Sequence, residues 1–565
     1  MQTPVPVVGG GDDKRLKRHV GMVGLLFTAV GSIIGSGWLF GALSAAQQAG
    51  PASILSWLIG AIMILFIGLV YSELGTMFPV SGGVVRFPHY AFGSFASYTT
   101  GWITWLAAAS TAPIEVLAAL QYANNYIPNL QKLVDGVAVL TPVGYLAATV
   151  LMFLFSLINV IGIRWFARIN NALVWWKIAI ILLVIVAFFT AEFNGGHFTF
   201  PEKGGFMPFG WHGVFSSIAT AGIIFSYLGF RQGVELAGET DNPSRNVPIA
   251  IIGSVLMCAL IYIGLQVAFI GALPEAALAN GWAHIGTTFT GGIEDKAIAF
   301  GPLATLSMTL GLTWLALLLY IDAFVSPADT GLIYTTVTAR LSYAMGRNGN
   351  APASLAKVND RGVPWVSVIV AFVVGLIFFL PFPGWQKLVG FVTSATVLSF
   401  GSGPLVLMAL RKELPQRNRP FKLPGGIIIP YLAFLSSNLI VYWSGWDVDW
   451  KLAIAVLLGF IILIAHEAFY SKHTPRLDFK AGFWVIPWLG GLTLISFLGT
   501  YPELDKGAGN LGVLSITTAI PVIAIFSALI MWLAHAMRLR GKDVDAYVDE
   551  TWEEAEDVPP ATPSP

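Results

Sequence analysis

Five ionisable residues lie inside long apolar stretches of the sequence, where a charge is costly to bury. They are Glu115, Lys177, Arg231, Asp322 and Asp329. At the centre of a bilayer a charged side chain costs about 2.5–3.5 kcal/mol on insertion scales, so such residues are candidates for function. The chemistry open to this set is proton binding by the carboxyl and amino groups and carboxylate binding by the guanidinium.

A glycine-rich segment could place backbone groups beside these charges. Gly31-Ser-Ile-Ile-Gly-Ser-Gly37 has three glycines and two serines in seven residues, and each glycine weakens a helix by about 1 kcal/mol relative to alanine. If the helix opens there, the amides near Gly35 to Trp38 could bind a carboxylate and the preceding carbonyls an ammonium. The alternative is close helix packing through small residues, because Gly31 and Gly35 have the Gly-x-x-x-Gly spacing.

A second segment, Phe225-Ser-Tyr-Leu-Gly-Phe-Arg231, also has a glycine in the middle of an apolar stretch, between aromatic side chains. A pair of interrupted helices in corresponding positions of two halves points to a transporter site. The two segments fall in the first and sixth apolar stretches, each of which begins a block of five. The sequence therefore predicts that helices 1 and 6 are broken, in a five-plus-five inverted repeat.

The composition indicates the kind of environment in which these elements lie. Of 565 residues, 56% are hydrophobic and 11% are charged, whereas soluble domains carry about 25% charged residues. The net charge is zero, which gives no reason to expect a nucleic-acid partner. The single cysteine, Cys258, excludes an internal disulfide, and no histidines have metal-site spacing. We expect a membrane protein with no metal and no cofactor.

The apolar stretches predict an all-α membrane protein with about fourteen transmembrane helices, because a helix needs about 20 apolar residues to cross the bilayer. The predicted segments are roughly 20–48, 53–78, 92–122, 142–162, 168–190, 212–239, 247–272, 303–345, 364–381, 386–410, 424–445, 450–470, 480–499 and 511–538.

Lysine and arginine predict the orientation of these segments. With the N-terminus in the cytoplasm, 23 of the 31 Lys and Arg residues fall at cytoplasmic ends, as the positive-inside rule requires. We therefore expect the protein in the plasma or inner membrane, with both termini in the cytoplasm. The predicted organisation is a cytoplasmic segment (1–19), a ten-helix transport core (20–410), four further helices (411–542) and an acidic disordered tail (543–565).

Several motifs together resemble those of the amino acid–polyamine–organocation (APC) superfamily. The glycine-rich segment resembles that superfamily's first-span motif, and four further stretches resemble the end of its second span, its sixth span, the loop after the sixth span and the end of its eighth span. These are Tyr71–Gly75 with Pro79–Gly83, Phe225–Phe230, Glu239–Pro248 and Ala339–Gly349. Within the superfamily the chain looks most similar to bacterial aspartate–proton symporter-like permeases. Most members have twelve spans, so the last two are a departure to which the sequence assigns no role.

The resemblance implies a leucine-transporter-like fold, alternating access and an amino-acid site between spans 1, 3, 6, 8 and 10. It implies that backbone atoms of Ile33, Gly35, Ser36 and Gly37 contact the amino and carboxyl groups of the substrate. By the same resemblance, Phe225, Ser226, Leu228 and Gly229 complete the site and pack against the substrate's side chain.

Lys177, in Val174-Trp-Trp-Lys-Ile178, resembles the lysine that replaces a sodium ion in proton-coupled members. The hypothesis is that its protonation couples proton entry to substrate movement, with the ammonium tying span 5 to spans 1 and 8. The alternative is a lysine that snorkels to the interface, since it lies nine residues after Arg168, or about 14 Å along a helix. Its apolar neighbours favour coupling.

Arg231 and Glu115 complete the candidate site. The guanidinium of Arg231 could clamp the second carboxylate of an aspartate or glutamate substrate. The alternative is an internal pair with Glu235, four residues later on the same helix face. Glu115 could relay protons or pair with Lys177 or Arg231.

These observations predict a secondary active transporter, a proton-coupled symporter for an acidic amino acid. The alternative within transport is an exchanger of neutral or cationic amino acids or polyamines. The alternative classes are a channel and a membrane enzyme, for which no selectivity filter and no catalytic motif is found. The sequence leaves open the exact substrate, symport versus antiport, the oligomeric state and the conformational state.

Overall fold

The structure is a computed structural model. It describes residues 20–80, 82–134, 137–285, 298–347, 351–359, 363–470, 477–501 and 509–556, with the backbone alone for 162–171, 347, 469–470 and 550–556. The predicted N-terminal segment 1–19 therefore lies outside the described residues.

The described chain is mostly helical. Its α-helices are α1 Met22–Ile33, α2 Gly37–Ala49, α3 Ser53–Met77, α4 Gly83–Ala123, α5 Pro142–Ala191, α6 Gly210–Thr220, α7 Gln232–Glu235, α8 Pro243–Ala272, α9 Pro302–Thr309, α10 Thr313–Arg347, α11 Trp365–Phe378, α12 Trp385–Glu413, α13 Ile428–Trp443, α14 Trp446–Tyr470, α15 Phe479–Gly482, α16 Val485–Phe497, α17 Ala519–Met537 and α18 Lys542–Glu556.

Short 3₁₀ helices and one hairpin connect these elements. The 3₁₀ helices are Gly50–Ala52, Gly195–Phe198, Pro201–Lys203, Phe225–Arg231, Ala237–Glu239, Glu275–Leu278, Trp282–His284, Ile298–Phe300 and Ala353–Ala356. Strands β1 Gln131–Val134 and β2 Val137–Leu140 pair antiparallel, with Gln131 opposite Leu140. The hairpin is fastened to the segment before α12, because Leu140 N donates to Pro383 O at 2.9 Å.

The helices make this a multi-pass membrane protein. Within the described residues, 10 helical segments are long and apolar enough to cross a bilayer. Gly210–Thr220 and Phe225–Glu235 pass that test together as a pair bent by 47°, which is either a broken span or a re-entrant loop. Helices α1, α11 and α13 are apolar but shorter than a straight crossing needs. The all-α membrane class is confirmed, whereas the count of fourteen and the inverted repeat stay predictions.

The helices differ in how far they are buried. The apolar parts of α4 and α12 are 94% buried, so these two helices lie at the centre. Helices α5, α14 and α17 instead present large apolar side chains outward, and Leu260 of α8 and Trp532 of α17 are 75% and 69% exposed. Such a surface suits lipid, which is the solvent that the low charge content predicted. The single cysteine, Cys258 on α8, is fully buried.

The helices that follow the predicted core are joined to it and to one another by buried polar contacts. Asn438 of α13 accepts from Trp488 Nε1 of α16 at 2.9 Å and donates to Ser527 Oγ of α17 at 2.9 Å. Helix α13 itself packs against α3 and α12. The boundary at residue 410 between a core and an addition stays a prediction.

The C-terminal segment differs from the predicted disordered tail. Residues 542–556 form helix α18, on which Val544 and Val548 are buried. The Tyr547 hydroxyl donates to Asp478 and its ring contacts His89 of α4. The prediction of disorder is wrong for 543–556, because two valines four residues apart give an acidic helix an apolar face to dock. Residues 557–565 lie outside the described residues.

Candidate functional site

Helical geometry stops within the glycine-rich segment. Helix α1 ends at Ile33, Ile34 has the non-helical angles φ −84° and ψ 84°, and α2 begins at Gly37. A Cβ at Gly35 would lie 2.7 Å from Glu115 Oε1 and 3.2 Å from Thr330 Oγ1. Glycine is therefore needed here because α4 and α10 approach the backbone closely. That α1 and α2 are two halves of one membrane crossing stays a prediction.

The second interruption begins earlier than predicted. Helix α6 ends at Thr220, and the chain turns through Gly222, at φ 87°, before the 3₁₀ helix Phe225–Arg231. The turn thus centres on Gly222 rather than on Gly229. Gly229 has a different use, because it packs directly against the backbone of Ser32 and Ile33. The two interruptions therefore touch each other.

A small cavity, with room for about one water molecule, lies where the interruptions meet. Five elements form its wall, namely the α1–α2 segment, α4, the 3₁₀ helix Phe225–Arg231, α10 and α12. Its lining residues are Ser32, Ile33, Gly35, Thr111, Glu115, Phe225, Leu228, Gly229, Thr330, Tyr334, Val392 and Thr396. These elements correspond to spans 1, 3, 6, 8 and 10, between which the resemblance placed the site.

The predicted site residues divide into two groups. Those that line the cavity are Ile33, Gly35, Glu115, Phe225, Leu228 and Gly229. Those that do not are Ser36, Gly37, Lys177, Ser226 and Arg231. Gly37 packs against the side chain of Ser226, so these two residues hold the wall together behind the cavity.

The sequence analysis missed four hydroxyl residues of the central helices that line the cavity, namely Thr111, Thr330, Tyr334 and Thr396. Each central helix contributes two residues four apart, which lie on one helix face. The pairs are Thr111 with Glu115, Thr330 with Tyr334, and Val392 with Thr396. The four-residue spacing of Thr111 from Glu115 and of Tyr334 from Thr330 is the signal that could have identified three of them.

The start of α2 already holds a carboxylate. Glu115 Oε2 accepts from Ser36 N at 3.0 Å, and Ser36 Oγ accepts from Trp385 Nε1 at 2.9 Å. Among the described residues Glu115 Oε1 has no hydrogen-bond partner, and the side chain is fully buried. The partial positive charge of a helix N-terminus favours an anion here. The amide end predicted to bind a substrate carboxylate is thus occupied by a carboxylate of the protein itself.

Lys177 is buried and tied to three groups. Its Nζ lies 2.5 Å from Asp329 Oδ2 and donates to Gly31 O at 3.2 Å and to Thr330 Oγ1 at 3.4 Å. The side chains of Lys177 and Asp329 are both 0% exposed, so the snorkelling alternative is wrong. The ammonium links α5 to α1 and α10, the three elements that the resemblance implied.

Asp322 forms a second link between α5 and α10. Its Oδ1 accepts from Trp176 Nε1 at 2.8 Å and from Ser326 Oγ at 2.8 Å, and its Oδ2 lies 2.9 Å from the same hydroxyl. Trp176 is the chain neighbour of Lys177. Two consecutive residues of α5 therefore contact two aspartates of α10.

Arg231 lies outside the cavity and faces Glu235. The distance from Arg231 Nε to Glu235 Oε1 is 3.6 Å, and Arg231 is 1% exposed. Its Nε and Nη2 have no hydrogen-bond acceptor among the described residues. The hydroxyl of Tyr334, a residue of the cavity wall, lies within electrostatic reach of Arg231, Glu235 and Glu115. The internal pair with Glu235 is therefore present, and two donor atoms of the guanidinium have no acceptor among the described residues.

No group of three or more His, Cys, Asp or Glu side chains that could hold a metal occurs among the described residues.

Comparison with known proteins identifies what the chain is similar to. A family model described as amino acid permease matches residues 20–464. The glutamate/serine transporter AimA of Bacillus subtilis (strain 168) is 37% identical over 499 residues, covering 88% of this chain and 89% of the relative. The aspartate-proton symporter of the same strain is 36% identical over 541 residues, covering 94% and 98%. The branched-chain amino acid permease BcaP of that strain is 27% identical over 480 residues, covering 81% and 95%.

Proposed function

The chain belongs to the amino acid permease family of the APC superfamily, and on that premise we propose that it is a proton-coupled symporter of acidic amino acids. Its relatives above are all named as transporters or permeases, so it is a transport protein and not an enzyme. Aspartate and glutamate are the proposed substrates, and alternating access is the proposed mode.

The observation that carries the proposal is the contact between Glu115, which lines the cavity, and the amide of Ser36, the residue just before α2. A substrate α-carboxylate would compete for this amide, because it is one of the donors without an intrahelical acceptor at the helix N-terminus. Two carboxylates cannot share this donor in a buried site without strong repulsion. Protonation of Glu115 removes the repulsion and weakens its hydrogen bond to the amide, so that a substrate carboxylate can displace it. Proton binding and substrate binding therefore favour each other, which is the thermodynamic requirement for symport.

Lys177 supports the same proposal from outside the cavity. Its ammonium bonds to Gly31 O, a carbonyl just before the interruption between α1 and α2, and to Asp329 and Thr330 of α10. Because these elements also form the cavity wall, a change in the charge of Lys177 would change how tightly α5 holds them. We propose that Lys177 transmits the protonation state of the site to the movement of α5.

Arg231 supports an acidic substrate. Its buried guanidinium has donors without acceptors among the described residues, and a relative is named an aspartate-proton symporter. To clamp the second carboxylate, Arg231 has to exchange Glu235 for the substrate and turn toward the cavity past Tyr334. We propose that this exchange occurs when the cytoplasmic side opens.

A second candidate is uptake of small neutral amino acids. The cavity wall carries the hydroxyls of Thr111, Thr330, Tyr334 and Thr396 and no cationic side chain. Such a wall suits a hydroxyl-bearing side chain, and another relative is named a glutamate/serine transporter. The cavity wall thus offers hydrogen-bond partners to a serine side chain and no cation to a second carboxylate.

The proposed orientation places both termini in the cytoplasm of a cell whose plasma or inner membrane holds the protein. The distribution of lysine and arginine supports it. The contact of α18 with the first turns of α4 supports a position of α18 on the same side of the membrane as that end of α4.

The test is uptake of radiolabelled aspartate, glutamate and serine into proteoliposomes under an imposed pH gradient, with sodium present or absent. We expect concentrative, sodium-independent uptake of aspartate that competing glutamate inhibits and a protonophore abolishes. Uptake that requires sodium, or that ignores the pH gradient, would refute proton symport. Preferential uptake of serine would favour the second candidate.

A further inference from the structure

Asp322 is a buried carboxyl group that the proposed mechanism leaves without a role. It is 0% exposed, and its hydrogen-bond partners are the indole of Trp176 and the hydroxyl of Ser326, both of which are neutral. Among the described residues no lysine or arginine forms an ion pair with it. A buried carboxylate without a counter-charge is strongly disfavoured relative to its protonated form.

The charged and titratable groups around Asp322 are few. Lys177 and Asp329 act on it electrostatically, and Asp322 in turn acts on Tyr122 of α4. Helices α1, α9 and α11 also pack against α10, and their sequences contain no titratable side chain. Lys177 is therefore the cation that acts on Asp322, and the same ammonium contacts Asp329.

Three carboxyls depend on that one ammonium. Asp329 contacts Lys177 directly, and Glu115 and Asp322 lie within its electrostatic reach. If all three were ionised, the group would hold two uncompensated negative charges in a region that excludes water, at several kcal/mol per ion. Two protons remove this excess. Asp329 keeps its ionic contact with Lys177, so the protons belong on Glu115 and Asp322.

The hydrogen bonds of Asp322 suit both of its protonation states. In the protonated state Oδ2 donates to Ser326 Oγ across 2.9 Å, while Oδ1 still accepts from Trp176. In the ionised state the Ser326 hydroxyl turns and donates instead, as a rotatable hydroxyl can. The contact between α5 and α10 survives in either state. Asp322 can therefore gain and lose a proton without leaving a polar atom unsatisfied.

We propose that Asp322 is a second proton-binding site and that each transport cycle carries two protons with one substrate. This rests on the proposed function, because it counts protons that symport moves. Aspartate enters with one net negative charge, so two protons make the cycle carry one net positive charge inward. A membrane potential that is negative inside then drives uptake, whereas one proton would make aspartate uptake electroneutral.

The stoichiometry can be measured in proteoliposomes that contain the full chain. A fixed gradient of radiolabelled aspartate is opposed by a range of pH gradients, with the membrane potential clamped to zero by potassium and valinomycin. For a tenfold aspartate gradient, net flux should stop at a pH difference of about 0.5 with two protons and about 1 with one proton, since one pH unit is a tenfold proton gradient. Two protons support the proposal, and one overturns it.

The variant Asp322→Asn tests whether the second proton binds to Asp322. The amide keeps the size of the side chain and can still accept from Trp176, so the variant should still transport aspartate. We expect a pH difference of about 1 to balance a tenfold aspartate gradient, and uptake should no longer respond to the membrane potential. The matched control is Asp449→Asn, at a buried aspartate of α14 that accepts from Ser496 Oγ at 2.6 Å and does not line the cavity. The control should keep the two-proton value.

Each of the other possible results also bears on the inference. A two-proton value in Asp322→Asn overturns the assignment. If that variant does not fold, the wild-type reversal point stands alone as the test. Wild-type uptake that is proton-driven with a one-proton value refutes this inference but leaves the proposed symport intact, whereas uptake without any proton dependence refutes the proposed function itself.

Discussion

Lys177 Nζ and Asp329 Oδ2 lie 2.5 Å apart, and neither side chain has any contact with solvent. The pair joins two helices, α5 and α10, at the depth of the cavity. Removing one member of a buried pair leaves an uncompensated charge, while removing both leaves none. Stability and coupling can therefore be separated experimentally at this pair.

Lys177→Met should lower the free energy of unfolding by about 3–5 kcal/mol at pH 8, because it leaves the Asp329 carboxylate buried alone. The double variant with Asp329→Asn should recover most of that loss. Both should lose proton-driven accumulation of aspartate, since neither has the ammonium. Thermal unfolding in detergent and uptake into proteoliposomes measure the two effects. Full accumulation by either variant would exclude Lys177 from coupling.

Glu115→Gln should reduce the dependence of substrate binding on external pH. The amide can accept from Ser36 N, as the carboxylate does at 3.0 Å, but it is always neutral and so resembles the protonated state. We expect aspartate exchange between equal pools to persist with a KM that changes less steeply with pH than in the wild type, while pH-driven accumulation falls. The control is Glu275→Gln on the exposed 3₁₀ helix Glu275–Leu278. A KM that follows pH as steeply as in the wild type would exclude Glu115 as a site of proton coupling.

Gly35→Ala should reduce transport at least tenfold, because the new methyl group would lie 2.7 Å from Glu115 Oε1. Either the carboxyl or the backbone must move, and both form the cavity wall. Gly490→Ala is the matched control, since a Cβ there meets no atom within 4 Å and alanine favours the helix. Initial uptake rates of purified protein report the effect. Equal rates for the two variants would show that close approach at Gly35 is not needed.

Arg231→Gln should change which substrates compete. Without the guanidinium, aspartate should lose about tenfold in competition while serine is unaffected, because only the acidic side chain needs the cation. Arg231→Lys should recover part of the aspartate affinity, since lysine keeps the charge but cannot bind in bidentate fashion. Arg340→Gln, at an exposed arginine of α10, is the control. If aspartate competed as well in Arg231→Gln as in the wild type, Arg231 would have no role in substrate binding, and only its pairing with Glu235 would remain.

The parts of the site that sequence could predict follow from local properties. A scarcity of charge identifies lipid as the solvent, and three glycines within seven residues identify the interruption near Gly35. Glu115 and Lys177 stand out because charges are rare in apolar helices. None of these inferences needs to know which helices are neighbours.

The parts that sequence could not predict depend on which helix faces meet. Threonine is common in membrane helices, so Thr111 and Thr396 attract no attention until α4 and α12 are seen to face one cavity. The sequence allows Arg231 either to pair with Glu235, four residues later, or to bind the second carboxylate of a substrate. Only the packed structure shows that Arg231 faces Glu235 and lies outside the cavity. Helix α18 was missed because a count of acidic residues hides Val544 and Val548.

The burial of Cys258 has a practical consequence. Thiol-reactive fluorophores and spin labels need an accessible sulfur, and the native one lies inside α8 with no exposed surface. A cysteine engineered at each end of the molecule would therefore react selectively without prior removal of the native thiol. Distances between such labels could follow opening and closing in an otherwise unaltered carrier.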